Sequence, residues 1–299
     1  MSKTMRKWLL AGFLILIFAF LGISVQRNIK FELGNKTSYA ISTHDQNMRS
    51  GIMVFCYHRV LKNTRTVRLD ERLSSNSQFH DFNVNLNDFK AQMAYLHRHH
   101  IQVISTAEMI QLATSHQRLK HRYVVLTFDD IDRTTIDNAL PVMMKYHDPF
   151  TVSIITGDTG AYRAGTKLAT WPQILKMKKI AGDLVTFGVH TNNMHYLTAS
   201  GTPIFNVPSQ FSRFKRDYAT SQDVMQKKIG AETPIFTYPY GSGDIQVQAF
   251  LERQPLQVIY TLNTGIVTPH TNLKSTPRVI INTNSWPSIT KWLTPKTTA

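Results

Sequence analysis

Short runs of apolar and β-branched residues alternate along most of this chain with longer stretches in which apolar residues recur every three or four positions. The first run predicts a strand over Ile52–Tyr57, and the spacing of Leu86, Phe89, Met93 and Leu96 predicts a helix. A strand at Ile101–Ile104 and a short helix at Thr106–Ala113 follow. Tyr123–Thr127 is apolar or β-branched at successive rather than alternate positions, the mark of a strand buried on both faces. Beyond it the pattern predicts a helix from about Thr134 to Tyr146, a strand at Phe150–Ile155, and a helix capped by Thr170 with Pro172 in its first turn. The alternation continues through Leu184–Val189, a helix within Pro208–Ile229, then Ile235–Tyr238, Ile245–Arg253, Val258–Thr261 and Arg278–Asn282. Such alternation implies an α/β fold with a mostly parallel sheet under covering helices. Seven or eight strands in about 240 residues fit a closed or nearly closed barrel better than an open sheet.

The amino end follows a different pattern. Lys3, Arg6 and Lys7 precede an uncharged run from Trp8 to Val25, which makes residues 1–25 an export signal or a membrane anchor. Gly22 and Ser24 have the spacing of small residues at a cleavage site. Residues 26–50 are polar and aperiodic and read as a tether, and residues 51–299 as one large domain. The single cysteine, Cys56, rules out an internal disulfide. The net charge of +15 fits an exported chain held at an anionic cell surface or membrane. The basic residues are scattered without a stripe of interleaved aromatics, so nucleic acid is not an expected partner.

Candidate chemistry begins where the Tyr123–Thr127 run ends on Asp129 and Asp130, because parallel sheets collect their chemistry at the carboxyl ends of strands. Asp130 or Asp132 could equally cap the helix that follows. The strand Leu184–Val189 runs into HTNNMH, which places His190 and His195 just past its end. Two histidines with a carboxylate from another strand make a three-ligand site with open positions, as a catalytic metal requires. Zinc, nickel, cobalt and iron all suit that donor set. His97, His99, His100, His116, His121 and His147 lack such a context and read as surface residues. A third strand, in IFTYPYG, runs into a Pro-Tyr-Gly turn that can expose a backbone N–H toward an oxyanion.

TFDD, the paired histidines and the PYG turn, in that order, resemble the polysaccharide deacetylases of carbohydrate esterase family four. FCYHRV, FDDIDRTTIDNALPVMMKYHDPF with the IITG after it, and TPRVI bring the resemblance closer to the bacterial poly-β-1,6-N-acetylglucosamine deacetylases of the intercellular-adhesion type, over Met53 to Trp292. The resemblance implies a distorted (β/α) barrel of the NodB-like type with a circularly permuted motif order. It implies Asp130, His190 and His195 as ligands of a divalent metal, zinc first among the candidates, and Asp129 as general base. It also implies His58 as general acid and the Tyr240 backbone N–H as oxyanion donor. The expected protein is a secreted or anchored, monomeric hydrolase that removes acetyl groups from β-1,6-linked N-acetylglucosamine polymer in biofilm. Peptidoglycan or chitin-like glycans are the alternative substrates, and a non-catalytic glycan-binding protein is the alternative class.

Two positions depart from the family pattern. Ile131 stands where many members have glycine after TFDD, a glycine that the closer subgroup also lacks, and Thr237 stands where many have an arginine before the PY turn. Asp129 then needs another partner to orient it, with Arg59 and Arg278 as candidates. The stretch from Lys62 to Phe82 is long for a connection and suggests a substrate or membrane contact.

Overall fold

The eight β-branched and aromatic runs form strands close to where the pattern puts them, and among the described residues four short strands that the pattern does not predict join them. In chain order they are β1 (Gly51–Tyr57), β2 (Arg59–Leu61), β3 (Asn83–Asn85), β4 (Gln102–Val103), β5 (Arg122–Phe128), β6 (Phe150–Ile154), β7 (Tyr162–Arg163) and β8 (Thr166–Lys167). They continue with β9 (Val185–Val189), β10 (Ile235–Thr237), β11 (Val258–Tyr260) and β12 (Val279–Ile280). The structure is a computed structural model that describes residues 2–38, 41–73, 81–163 and 166–295. Part of the long Lys62–Phe82 connection, residues 74–80, therefore lies outside the described residues, as do residues 39 and 40 of the lead-in and the last four positions.

One parallel sheet runs β11–β10–β9–β6–β5–β1–β12, with β4 pairing the first half of β5 and β6 the second. The two ends of this sheet meet. Thr261 N–H donates to the Thr276 carbonyl at 2.9 Å and Thr276 N–H to the Ile259 carbonyl at 2.8 Å. The segment entering β12 thus pairs with β11, while Val279 and Ile280 pair with Phe55 and Cys56 of β1. The result is the distorted (β/α) barrel that the sequence implied.

Alternation along each strand separates two apolar layers. Met53, Phe55 and Tyr57 of β1, with Val124, Leu126 and Phe128 of β5, face the helices. There Tyr57 stacks on Phe128 at 5.2 Å and meets Phe89 edge-on at 5.2 Å. Ile52, Val54, Val125, Ile235, Val258 and Tyr260 form a smaller cluster on the inner side. Higher in the interior the side chains turn polar and pair with each other, Ser153 with Thr237 at 2.7 Å and Thr106 with both Thr151 and Tyr260 at 2.7 Å. Hydrophobic burial dominates the lower barrel, and the end that carries the chemistry is lined with hydroxyls.

The helix predicted over Thr134–Tyr146 begins as a π-helix, Thr135–Ala139, before continuing as Leu140–Tyr146. Pro141 has no N–H to offer the Asp137 carbonyl and its ring crowds that group, so the preceding turn widens. At Trp171–Ala181 the expected cap is present as a capping box between Thr170 and Gln173. His97 is less solvated than its sequence context suggests. Its Nε2 lies 2.8 Å from buried Asp148, and its ring stacks on Tyr146 at 4.3 Å.

The helix Lys3–Ser38 contains, over Lys3–Arg27, the one segment among the described residues long and apolar enough to cross a membrane. None of its apolar window is buried against the rest of the chain, as in a signal sequence or signal anchor. The end of the lead-in, by contrast, is packed rather than loose. Ile41 is buried, and the Met48 carbonyl accepts from Trp292 Nε1 at 3.0 Å and from Arg122 at 3.3 Å. A polar sequence docks here because its backbone supplies the acceptor that buried Trp292 needs. Trp292→Ala is expected to lower stability in urea melts by about 3–5 kcal/mol and to open residues 41–50 to proteolysis.

Candidate active site

The carboxyl ends of β1, β5, β9 and β10 converge on one polar floor. Asp129, just past β5, is buried, and both its oxygens are taken by Arg278, Nη1 to Oδ1 and Nη2 to Oδ2, each at 2.7 Å. Arg278 is itself fully buried, donates to the Thr261 carbonyl at 2.9 Å, and lies 5.4 Å from the centre of the Tyr260 ring. Burial alone would raise the Asp129 carboxyl. The guanidinium overrides it by charge and hydrogen bonds and brings it down to about 2. Burial likewise works against the Arg278 cation, and Asp129 more than offsets it. Arg278, not Arg59, orients Asp129; Arg59 instead donates to Thr166 at 3.0 Å and lies near Asp132.

Asp130 points elsewhere because the chain turns sharply. Asp130 and Ile131 both have left-handed backbone, with φ of 64° and 54°. This conformation explains why glycine suits the position of Ile131, since a β-branched residue there is strained by on the order of 1–2 kcal/mol. The Ile131 side chain is fully buried, which offsets that cost. Asp132, in turn, does what a capping residue does, accepting from Thr134 N–H at 2.7 Å.

Asp130, His190 and His195 come together as a candidate metal-binding group, their ligand atoms within 4.8 Å of one another. His190 Nδ1 lies 2.8 Å from the Thr237 carbonyl, which can only accept, so that nitrogen carries a proton and leaves Nε2 to face the cluster. Asp130 Oδ1 stands 3.4 Å from His190 Nε2 and 3.2 Å from His195 Nε2. That oxygen is buried and makes no hydrogen bond of acceptable geometry. An orphaned carboxylate oxygen between two imidazole nitrogens is the donor set that a divalent cation satisfies. At both histidines burial disfavours the imidazolium. At His195 burial prevails and the pKa falls; at His190 the Asp130 contact and nearby charge outweigh it and the pKa rises.

His58 follows β1, with Nε2 3.9 Å from Asp129 Oδ2 and its ring 4.4 Å from Phe82. Burial lowers its pKa to about 4 against the pull of Asp129. Phe82 is the described part of the long connection that reaches the site. Tyr240, in the PYG turn, has φ of 59°, and its ring lies 4.9 Å from that of His195. Gly241 follows at φ +94°, where a Cβ would come within 2.6 Å of Leu262, so this turn needs its glycine. All six residues singled out from the sequence therefore meet at one mouth.

Two participants escaped the sequence analysis. Cys56 sits under the site with Sγ 3.6 Å from Asp129 Oδ2, as a buried weak donor. Cys56, His58 and Asp129 also cluster, but both Asp129 oxygens already serve a buried cation, which makes that group a poor second metal site. The other is Asp217, whose carboxylate accepts the Asn192 and Asn193 N–H groups, each at 2.7 Å. An acid within an amphipathic helix carries no local mark of that contact.

With this geometry in view, residues 116–259 match the polysaccharide deacetylase family, which marks the protein as a hydrolase of amide bonds. Among curated relatives it is 27% identical over 245 residues to the poly-β-1,6-N-acetyl-D-glucosamine N-deacetylase of Staphylococcus epidermidis, covering 81% of this chain and 83% of that one. The Staphylococcus aureus protein of the same name is 26% identical over 236 residues, 79% and 80% of the two chains. Among solved structures, IcaB from Ammonifex degensii superimposes with a TM-score of 0.71 at 27% identity, over 82% of this chain and 97% of that one. The Streptococcus pyogenes deacetylase PplD shares the fold, with a TM-score of 0.66 at 23% identity, over 83% of this chain and all of that one.

Arg278→Met leaves a buried carboxylate unpaired and is expected to cost about 3–5 kcal/mol at pH 7 in urea melts. Because Arg278 depresses the Asp129 pKa from 3.8 to about 2, the pair's contribution is complete above about pH 4 and lost as the pH falls through 2. The difference between variant and wild type should accordingly narrow on acidification, and a constant difference would contradict the assignment.

Proposed function

We propose that this protein is an exported or membrane-anchored, metal-dependent deacetylase of β-1,6-linked N-acetylglucosamine polymer. The observation that carries the reaction is the orphaned Asp130 oxygen between His190 and His195, next to a second carboxylate clamped by Arg278. The names of the staphylococcal relatives, at 27% and 26% identity, support the substrate. The exposed apolar helix at the amino end and the charge of +15 support a place at the cell surface.

Asp130, His190 and His195 would hold the cation, with zinc the first choice and nickel, cobalt and iron compatible with the same donors. A cation held there acidifies a water and draws electron density from the acetamide carbonyl. Asp129 accepts the proton of the attacking water, and its fixed geometry under Arg278 keeps one carboxylate edge aimed at the reaction. The Tyr240 N–H, turned by its left-handed backbone, donates to the developing oxyanion. Breaking the C–N bond requires a proton on nitrogen. His58, 3.9 Å from Asp129, is near enough to receive the proton that Asp129 has accepted, and an imidazole of lowered pKa gives it up readily to the leaving amine. The products are acetate and a free amine, which becomes a cation on the polymer at neutral pH.

Acetate release from a β-1,6-linked N-acetylglucosamine pentamer should cease on chelation and return with added zinc, nickel or cobalt. Asp129→Asn should reduce turnover on the order of 10²–10⁴-fold at unchanged metal content. Absence of release with every metal from folded, loaded protein, with release from chitin or peptidoglycan fragments instead, would replace the substrate. Metal-independent release would overturn the site assignment.

A further inference from the structure

The loop between the two histidines is held by a helix outside the constellation described so far. Asp217, on the helix Phe211–Ile229, is buried, and its two oxygens divide the work, Oδ2 accepting from Asn192 N–H and Oδ1 from Asn193 N–H, both at 2.7 Å. One turn earlier Arg213 donates to the Tyr196 hydroxyl at 2.8 Å, with its guanidinium 5.9 Å from the ring centre. These contacts fall on either side of His195.

The two histidines are positioned by different means. His190 directly follows β9, its N–H donating to the Ile154 carbonyl at 2.9 Å and its ring fixed against the Thr237 carbonyl. His195 comes five residues later, after the chain has left the strand through Thr191 at φ 68°. The loop backbone is tied on one side by Thr156 N–H to the Thr191 carbonyl and Gly157 N–H to the Asn192 carbonyl, and on the other by Asp217. The direction of the His195 ring, packed 4.8 Å from His190 and 4.9 Å from Tyr240, is inherited from that backbone.

We propose that Asp217 is a positioning residue for the cation site: by holding the Asn192 and Asn193 amides it sets where His195 Nε2 meets Asp130 and His190. The inference rests on the metal reading given under the proposed function. A carboxylate suits this role because two adjacent N–H groups need two acceptors. Asparagine would offer one acceptor and turn an NH₂ donor toward the other N–H, whereas glutamate keeps the fork on a longer stem.

The test is zinc affinity, read by competition with a chelating dye on the full chain in detergent, for wild type, Asp217→Asn, Asp217→Glu and His195→Ala. Asp217→Asn should weaken zinc about 10–100-fold, and Asp217→Glu should stay within about threefold of wild type. The zinc-free melting temperature of Asp217→Asn should stay near that of wild type, and acetate release should recover at saturating zinc. Wild-type zinc affinity in Asp217→Asn overturns the proposal, and so does a loss of affinity matched by collapse of the zinc-free protein in both Asp217 variants. If His195→Ala keeps wild-type affinity, the metal centre itself is wrongly assigned and the inference falls with it.

Discussion

A buried guanidinium and a buried carboxylate, each costly to hide from water alone, are tolerable in this barrel only because they meet edge to edge. Arg278 and Asp129 share two hydrogen bonds of 2.7 Å with no exposed face on either partner beyond a trace. Much of the surrounding architecture serves that pair. The Thr261 carbonyl and the Thr127 hydroxyl take two of the three remaining guanidinium donors, and the Tyr260 ring lies alongside. The polar upper interior of the barrel, lined with threonine and serine, is thus the condition for keeping a charged group at the strand ends.

The strands and helices were largely legible in the sequence because most are buried on predictable faces. Tyr123–Thr127, with no alternation, announced a central strand, and β5 occupies that place. The three motifs that resemblance singled out are neighbours in space because β5, β9 and β10 lie near one another in the sheet order. What the sequence left open was the partner of Asp129. Arg59 and Arg278 were equal candidates on paper, since one follows β1 and the other precedes β12, and both strands were expected. Only the closure of the sheet through Thr276 decides between them, and pairing of that kind leaves no periodic trace. Asp217 was hidden for a related reason, as its contact with the histidine loop is tertiary and spans 25 and 24 residues.

Ile131 shows how a departure from a family pattern can be absorbed. The left-handed turn that aims Asp130 is retained with a residue that resists it, and complete burial of the isoleucine side chain compensates. The same exchange runs in reverse at Gly241, where contact with Leu262 leaves no room for a side chain. At the first turn packing outweighs backbone preference, and at the second both demand glycine.

The closing of the barrel by its last strand also has a temporal meaning. A polypeptide is made from its amino end, and 149 residues separate Asp129 from the arginine that completes it. Until β12 has been synthesised and docked beside β1, the carboxylate at the heart of the site has no counter-ion and the barrel has an open seam. The fixed geometry of the base thus depends on a residue supplied just before β12, so a chain ending ahead of that strand lacks the arginine that pairs with Asp129.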